Sequence, residues 1–424
     1  FIYETFNDVR LVGAPPSSIG KYGGDTDNWM WPRHTGDFTM FRVYADKDNN
    51  PADYSENNIP YTPKHHLPVS LKGVEKGDYA MIFGYPGSTD RYLTSYGVKL
   101  ATSLDQPARV KLRRKKLDLY EEGQNKSEKV KIQYAAKHAQ VSNYWKYFIG
   151  QTKGLKRLKV YEKKKAQEDA FMAWVAKDAK RKEKYGNVME LYANGYKELT
   201  GLQLAQTYIG EAFFGIEILR FAYGFSSLGA AIGTEKEKET VAGMKAKGEG
   251  HFKDYNQEID RNVFAEMIKA YSEDLPKNQQ AEYIKELVKK YKNDYTKLAE
   301  MVFKKSVFSS EEKLNAFLAK PSAKVLDKDP AMKIFSEGLN FYRSTLGPKF
   351  QSIDSKLSKA ARLYVAGLRE MNPNKAYFPD ANSTMRVTYG NVGDYYPADA
   401  MHYDFYTTIE GIMEKEDPTN PDFI

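Results

Sequence analysis

The chain contains no cysteine at all. Disulfides, thiolate nucleophiles and cysteine-ligated metals are therefore excluded. Histidine is also scarce: six residues are scattered along the chain, and the single adjacent pair, His65–His66, would point to opposite faces of a strand. With no H-E-x-x-H and no EF-hand loop, no metal site and no cofactor is expected. No apolar run approaches eighteen residues, so no membrane span is expected. Phosphate-binding and dinucleotide fingerprints are missing, and Gly84-Tyr85-Pro86-Gly87 reads as a tight turn. Neither G-x-S-x-G nor G-x-S-G occurs, and Ser88 has no evident base beside it, so a complete Ser/His/Asp set is not contained here.

What is present is ample apolar material and an excess of tyrosine. The 424 residues are 41% hydrophobic and 14% aromatic, with 32 Tyr against 22 Phe and 4 Trp. Such a chain builds two or three ordinary cores, and the tyrosines suggest amphipathic groove or interface surfaces. The formal charge of +8 is made of many lysines interspersed with nearly as many acids. No basic cluster accompanies a nucleic-acid motif, and nucleic acid is not expected as a partner.

The texture changes twice along the chain. Up to about residue 90, Val9–Pro16, Asp37–Asp46, His66–Leu71 and Asp78–Gly87 are short β-prone runs between Pro, Gly and Asn-rich loops. From about 91 to 375, apolar residues recur at helical spacing, with Lys and Glu on the opposite faces. Gly123, Gly150, Gly186, Pro276 and Pro321 read as helix stops. From about 376 the β texture returns, in Thr384–Pro397 and Met401–Ile412. This predicts an α+β protein: a β-domain in segments 1–90 and 376–424, interrupted by a helical insertion over 91–375 that could roof a cleft. Four strands are too few to close a barrel, so further sequence is expected beyond both ends.

The densest chemistry lies in Gly23–Arg42, GGDTDNWMWPRHTGDFTMFR. Asp37 follows a glycine and precedes an apolar strand through Phe38, Met40 and Val43, a rigid place from which to orient a partner such as a histidine. It could equally cap the strand or pair with Arg33 or Arg42. Asn28 and Trp29 offer an amide and a flat ring suited to a polar end group such as a peptide amine, or else form an ordinary packed Trp with a hydrogen-bonded neighbour. His34 is read as a buttress of this loop.

Four stretches, Asp27–Asp46, Lys76–Val98, Ser142–Leu155 and Met385–Phe423, are similar to the bacterial serine exopeptidase family that contains dipeptidyl peptidases 7 and 11. The resemblance implies a chymotrypsin-like double β-barrel interrupted by a large helical domain, releasing dipeptides from the N-termini of oligopeptides. By the same resemblance Asp37 matches the triad aspartate, while Asn28, Trp29 and Asn143 match residues that hold the substrate α-amine. The catalytic histidine, the serine and the residue that sets acidic or hydrophobic preference are expected outside residues 1–424. A fragment of this kind would be inactive alone. Family members are exported, so a periplasmic or cell-surface location is expected, and the long helices offer a surface on which a homodimer could form. The rival reading is a non-catalytic peptide-binding or scaffold protein with a helical groove.

Overall fold

The computed structural model describes residues 2–424. It is an α+β structure that divides into two compact units, Phe1–Thr89 with Ala381–Ile424, and Asp90–Asp380.

The first unit holds two small antiparallel sheets. Strands β1 (Val9–Gly13), β2 (Met40–Ala45) and β3 (Ile59–Pro60) form one, in the order β1-β2-β3. Val9 faces Val43 and Gly13 faces Met40, with a register shift between Leu11 and Gly13. The other joins β4 (Tyr79–Gly84) to β5 (Arg386–Asn391), from Tyr79 opposite Asn391 to Gly84 opposite Arg386. This ladder ties together segments about 300 residues apart in the chain. Neither sheet closes into a barrel among the described residues.

Both faces of β4 carry exposed apolar side chains: Met81 and Phe83 on one, Ile82 on the other. Among the described residues this unit contributes only Tyr22, Ala45 and Ala381 to the buried apolar set. Its loops are therefore held chiefly by hydrogen bonds and ion pairs.

Two expected strands are not strands. His66–Leu71 carries no regular structure and is exposed, because its β-prone composition meets no partner ladder and Pro68 has no amide proton to give. Met401–Ile412 contributes one bridge, Tyr395 to Tyr403, before turning into the helix Glu410–Lys415.

The second unit is helical. Its principal elements are α1 (Gln106–Lys126), α2 (Glu128–Arg157), α3 (Val188–Thr200), α4 (Glu217–Tyr223), α5 (Gln257–Asp274), α6 (Pro330–Phe341) and α7 (Gly347–Met371). Helix starts are made locally. The Asn256 side chain accepts from the amides of Glu258 and Ile259 at 3.0 and 3.1 Å, and Asp329 accepts from Ala331 and Met332 at 2.9 and 3.1 Å, with Pro330 in the first turn. Each cap satisfies amides that the helix itself leaves open.

The main core gathers Leu112, Tyr134, Ile216, Ile218, Phe264 and Phe335, while a second cluster packs Phe171, Tyr185 and Val188 against Tyr364 and Leu368 of α7. Several tyrosines are thus core residues and not groove surface. Two of them pair their hydroxyls with carboxylates: Tyr134 donates to Glu217 Oε1 at 2.9 Å, and Tyr185 donates to Glu370 Oε2 at 2.7 Å.

Gly123 and Gly150 lie inside α1 and α2 and do not stop them. At Gly123 the reason is close approach: a Cβ there would sit 2.4 Å from Ile259 Cδ1 of α5. Gly186, Pro276 and Pro321 do follow helix ends.

Candidate active site

The loop from Tyr22 to Asp37 is clamped to residues 404–422 of the same unit. The buried Tyr22 hydroxyl donates to the Ile412 carbonyl at 2.8 Å, and the Gly23 amide donates to the Asp422 carbonyl at 2.7 Å. Gly23 has φ 82°, a left-handed conformation that suits glycine. Thr26 gives both its amide and its hydroxyl to Asp422 Oδ2, at 3.0 and 2.8 Å. Farther along, Trp31 Nε1 donates to the Asp404 carbonyl at 3.2 Å, and Thr407 Oγ1 donates to the Arg33 carbonyl at 2.7 Å.

The ionic centre of the clamp is Asp27. Its carboxylate is buried and receives Lys415 Nζ at 2.7 Å, and the same ammonium donates to the Pro32 carbonyl at 2.8 Å. Arg33 Nη2 donates to the Asp27 backbone carbonyl at 3.1 Å. One lysine thus fixes both shoulders of the segment carrying Asn28 and Trp29.

Between those shoulders the Asn28 amide donates to the Asp25 carbonyl at 3.3 Å. Trp29 takes φ 60°, rare for an aromatic residue, and its side chain is 55% exposed. A left-handed conformation costs a non-glycine residue on the order of 1 kcal/mol or more and persists where the surroundings over-determine it. The rigid frame around Asp27 supplies that constraint and directs an indole outward where a packed core tryptophan would be turned in.

Asp37 stands three residues before β2 and is exposed. Among the described residues its carboxylate makes no hydrogen bond or ion pair. Arg33 is turned to the Asp27 carbonyl, so the Arg33–Asp37 pair that the sequence allowed is not formed. His34 does not meet Asp37 either. It is half-buried against Gly411, where a Cβ would lie 2.0 Å from His34 Nε2, and its Nδ1 has no hydrogen-bond partner. Burial, and then the charge of Lys415, hold the imidazole below its ordinary pKa, as befits a neutral packing residue.

Asn143 belongs to the helical unit, half-buried on α2 between buried Ser142 and exposed Tyr144. The α1–α2 pair that carries it is laced by guanidinium–ring contacts. Arg113 lies 5.3 Å from the Tyr144 ring centre, Arg114 5.1 Å from that of Trp145 and Arg109 5.4 Å from that of Phe148.

Asp394, His402 and Asp404 are the one group among the described residues with metal-like ligand spacing. His402 Nε2 lies 3.1 Å from Asp394 Oδ2, but the Lys76 ammonium is bonded to that same oxygen and supplies the counter-charge. This is an ion-pair cluster.

Asp27, Lys415 and Asp422 were not picked out from the sequence. Their partners lie nearly 400 residues apart, and no local pattern announces such a pair.

The sequence pattern described as Peptidase S46 matches residues 1–424. Dipeptidyl-peptidase 7 of Porphyromonas gingivalis is 40% identical over 428 residues, covering 100% of this chain and 59% of the relative. An Asp/Glu-specific dipeptidyl-peptidase of Capnocytophaga gingivalis is 38% identical over 436 residues, covering 100% of this chain and 60% of the relative. Among solved structures, Porphyromonas endodontalis DPP11 in complex with the dipeptide Arg-Glu superposes with a TM-score of 0.86 at 36% identity, over 99% of this chain and 60% of that one. The chain thus spans about three fifths of the length of these relatives.

Proposed function

Since the chain belongs to the peptidase S46 family, we propose that it forms part of a serine dipeptidyl peptidase, a hydrolase that releases dipeptides from the N-termini of oligopeptides. Its similarity along its whole length to a dipeptidyl-peptidase 7 and to an Asp/Glu-specific dipeptidyl-peptidase carries this reading.

In this proposal Asp37 accepts the Nδ1–H of a histidine, holding the tautomer whose Nε2 takes the proton from a serine hydroxyl as that oxygen attacks the scissile carbonyl. An exposed carboxylate that makes no hydrogen bond or ion pair among the described residues is in a fit state for such a partner. The histidine and serine are assigned to no residue of this chain. Asn28 and Trp29 hold the substrate's free α-ammonium, the amide oxygen by accepting a hydrogen bond and the indole by presenting its face. Asn143 is assigned to the same amine. A site that requires a free ammonium at a fixed distance from the nucleophile counts residues from the N-terminus, which is what separates a dipeptidyl peptidase from an endopeptidase.

No helix among the described residues is long and apolar enough to cross a membrane. An exported enzyme of the periplasm or cell surface fits the reading, and a homodimer is compatible with it.

The test uses the full-length gene product on fluorogenic dipeptides with free and with acetylated N-termini, each with and without a serine-directed inhibitor. Inhibitor-sensitive release from free-amine substrates alone is the expected result. No release from any of them by folded protein would favour the non-catalytic peptide-binding reading instead.

A further inference from the structure

The helical unit contains a polar cleft of about 310 Å³ between α1, α2 and the segment leading into α4. Four cationic side chains line it, Arg113, Lys116, Lys137 and Arg220, against two carboxylates, Glu211 and Glu217. The carboxylates are already engaged. Glu211 Oε1 accepts from Arg109 at 3.1 Å and from Arg113 at 2.9 Å, and Glu217 accepts from Tyr134 and Lys137.

Two cations lack a close carboxylate partner among the described residues. Lys116 is only 4% exposed, yet among the described residues its ammonium makes a single hydrogen bond, to the Glu211 backbone carbonyl, with the carboxylate no nearer than 4.0 Å. A buried ammonium has three protons to place, and leaving them without acceptors is costly. Space is kept for this group: a Cβ on Gly215 would fall 2.0 Å from Lys116 Nζ. Burial lowers the Lys116 pKa to about 8, the mark of a cation whose compensation in the protein is incomplete. At the rim, the Arg220 guanidinium makes no hydrogen bond or ion pair among the described residues.

Val141, Tyr144 and Phe214 give the remaining wall an apolar stretch, with Gln140 beside it. A cleft of about 310 Å³ is larger than an inorganic ion needs and has room for a dipeptide. We infer that this cleft binds a small organic carboxylate with an apolar body, the chemistry of the C-terminal end of a short peptide, its oxygens between Lys116 and Arg220 and its apolar part against Tyr144 and Phe214. None of its lining residues is among the contacts assigned to the amine, and its existence does not rest on the peptidase reading.

The probe is N-acetyl-leucyl-phenylalanine, whose blocked amine cannot use those contacts, compared by titration calorimetry with its C-terminal amide and with inorganic phosphate on the full-length gene product. The acid binds, the amide binds at least about tenfold more weakly, and phosphate binds more weakly than the acid. Arg220→Gln, at an exposed position that folding does not depend on, weakens the acid about tenfold and leaves the amide unchanged. Asn28→Ala leaves acid binding as it was. The inference is overturned if acid and amide bind alike, if neither binds, if phosphate binds more tightly, if Arg220→Gln has no effect, or if Asn28→Ala removes binding.

Discussion

Lys415 Nζ lies 2.7 Å from Asp27 Oδ2, joining residues 388 positions apart, and the same ammonium reaches the Pro32 carbonyl at 2.8 Å. Because the Asp27 carboxylate is buried, removing the lysine that pairs with it leaves a buried charge uncompensated. Lys415→Met should cost about 2–4 kcal/mol in chemical denaturation. It should also raise backbone hydrogen exchange across residues 27–37. Exchange and stability equal to the parent would show that the loop is held by something else.

The loop stands out in the sequence as a candidate site because two tryptophans, a histidine and several carboxylates crowd into Gly23–Arg42, and Asp37 stands out as a candidate because Gly36 and an apolar strand flank it. The frame that stiffens the loop was not legible. Asp27, Lys415 and Asp422 are ordinary charged residues until the fold brings them together. Helices were readable from a period the chain repeats many times, whereas strand identity depends on a partner. Tyr79–Gly84 finds Arg386–Asn391 and becomes β4, while the similar-looking His66–Leu71 finds none. Gly123 misleads for a related reason, since its role is to admit Ile259 from another helix.

The two kinds of helical glycine should respond oppositely to a methyl group. At Gly367 in α7 a Cβ would meet the buried Phe171 ring at 2.5 Å, so Gly367→Ala should destabilise by about 1–3 kcal/mol. Gly150 in α2 has nothing within 4 Å, so Gly150→Ala should stabilise by about 0.5–1 kcal/mol through helix propensity. Denaturant midpoints decide both. Equal shifts of the same sign would contradict the packing described here.

His251 should give the stability a measurable acid dependence. Its ring stacks on Phe221 at 3.8 Å and its Nε2 is buried without a partner, so burial, reinforced by Lys137, Arg220 and Lys247, lowers its pKa to about 3. The unfolded chain, with an ordinary histidine pKa near 6.5, binds the extra proton at pH values between the two. The contribution of His251 is therefore complete above about pH 6.5 and lost progressively toward pH 3, by at most about 1.4 kcal/mol per pH unit. Asp260 opposes it: burial and the neighbouring Glu217 raise its pKa to about 7, so its folded-state protonation favours the fold at the acid side of the same window. The difference between parent and His251→Phe isolates the histidine. That difference should shrink steadily as pH falls from 6.5 to 4, and a difference independent of pH would mean that His251 is not held neutral by burial.

If Asn143 holds the substrate amine as proposed, Asn143→Ala in the full-length gene product should raise KM for free-amine dipeptide substrates about tenfold or more while changing kcat little, since such a contact is made equally in ground and transition states. An unchanged KM would remove Asn143 from amine binding.

The role of Asp37 is the central claim, and turnover by the full-length Asp37→Ala protein tests it most directly. If Asp37 orients the histidine as proposed, its loss should lower kcat by about 10³–10⁴-fold, with thermal unfolding close to that of the parent because the carboxylate is exposed and makes no hydrogen bond or ion pair among the described residues. A folded Asp37→Ala protein that turns over at the parent rate would contradict the account.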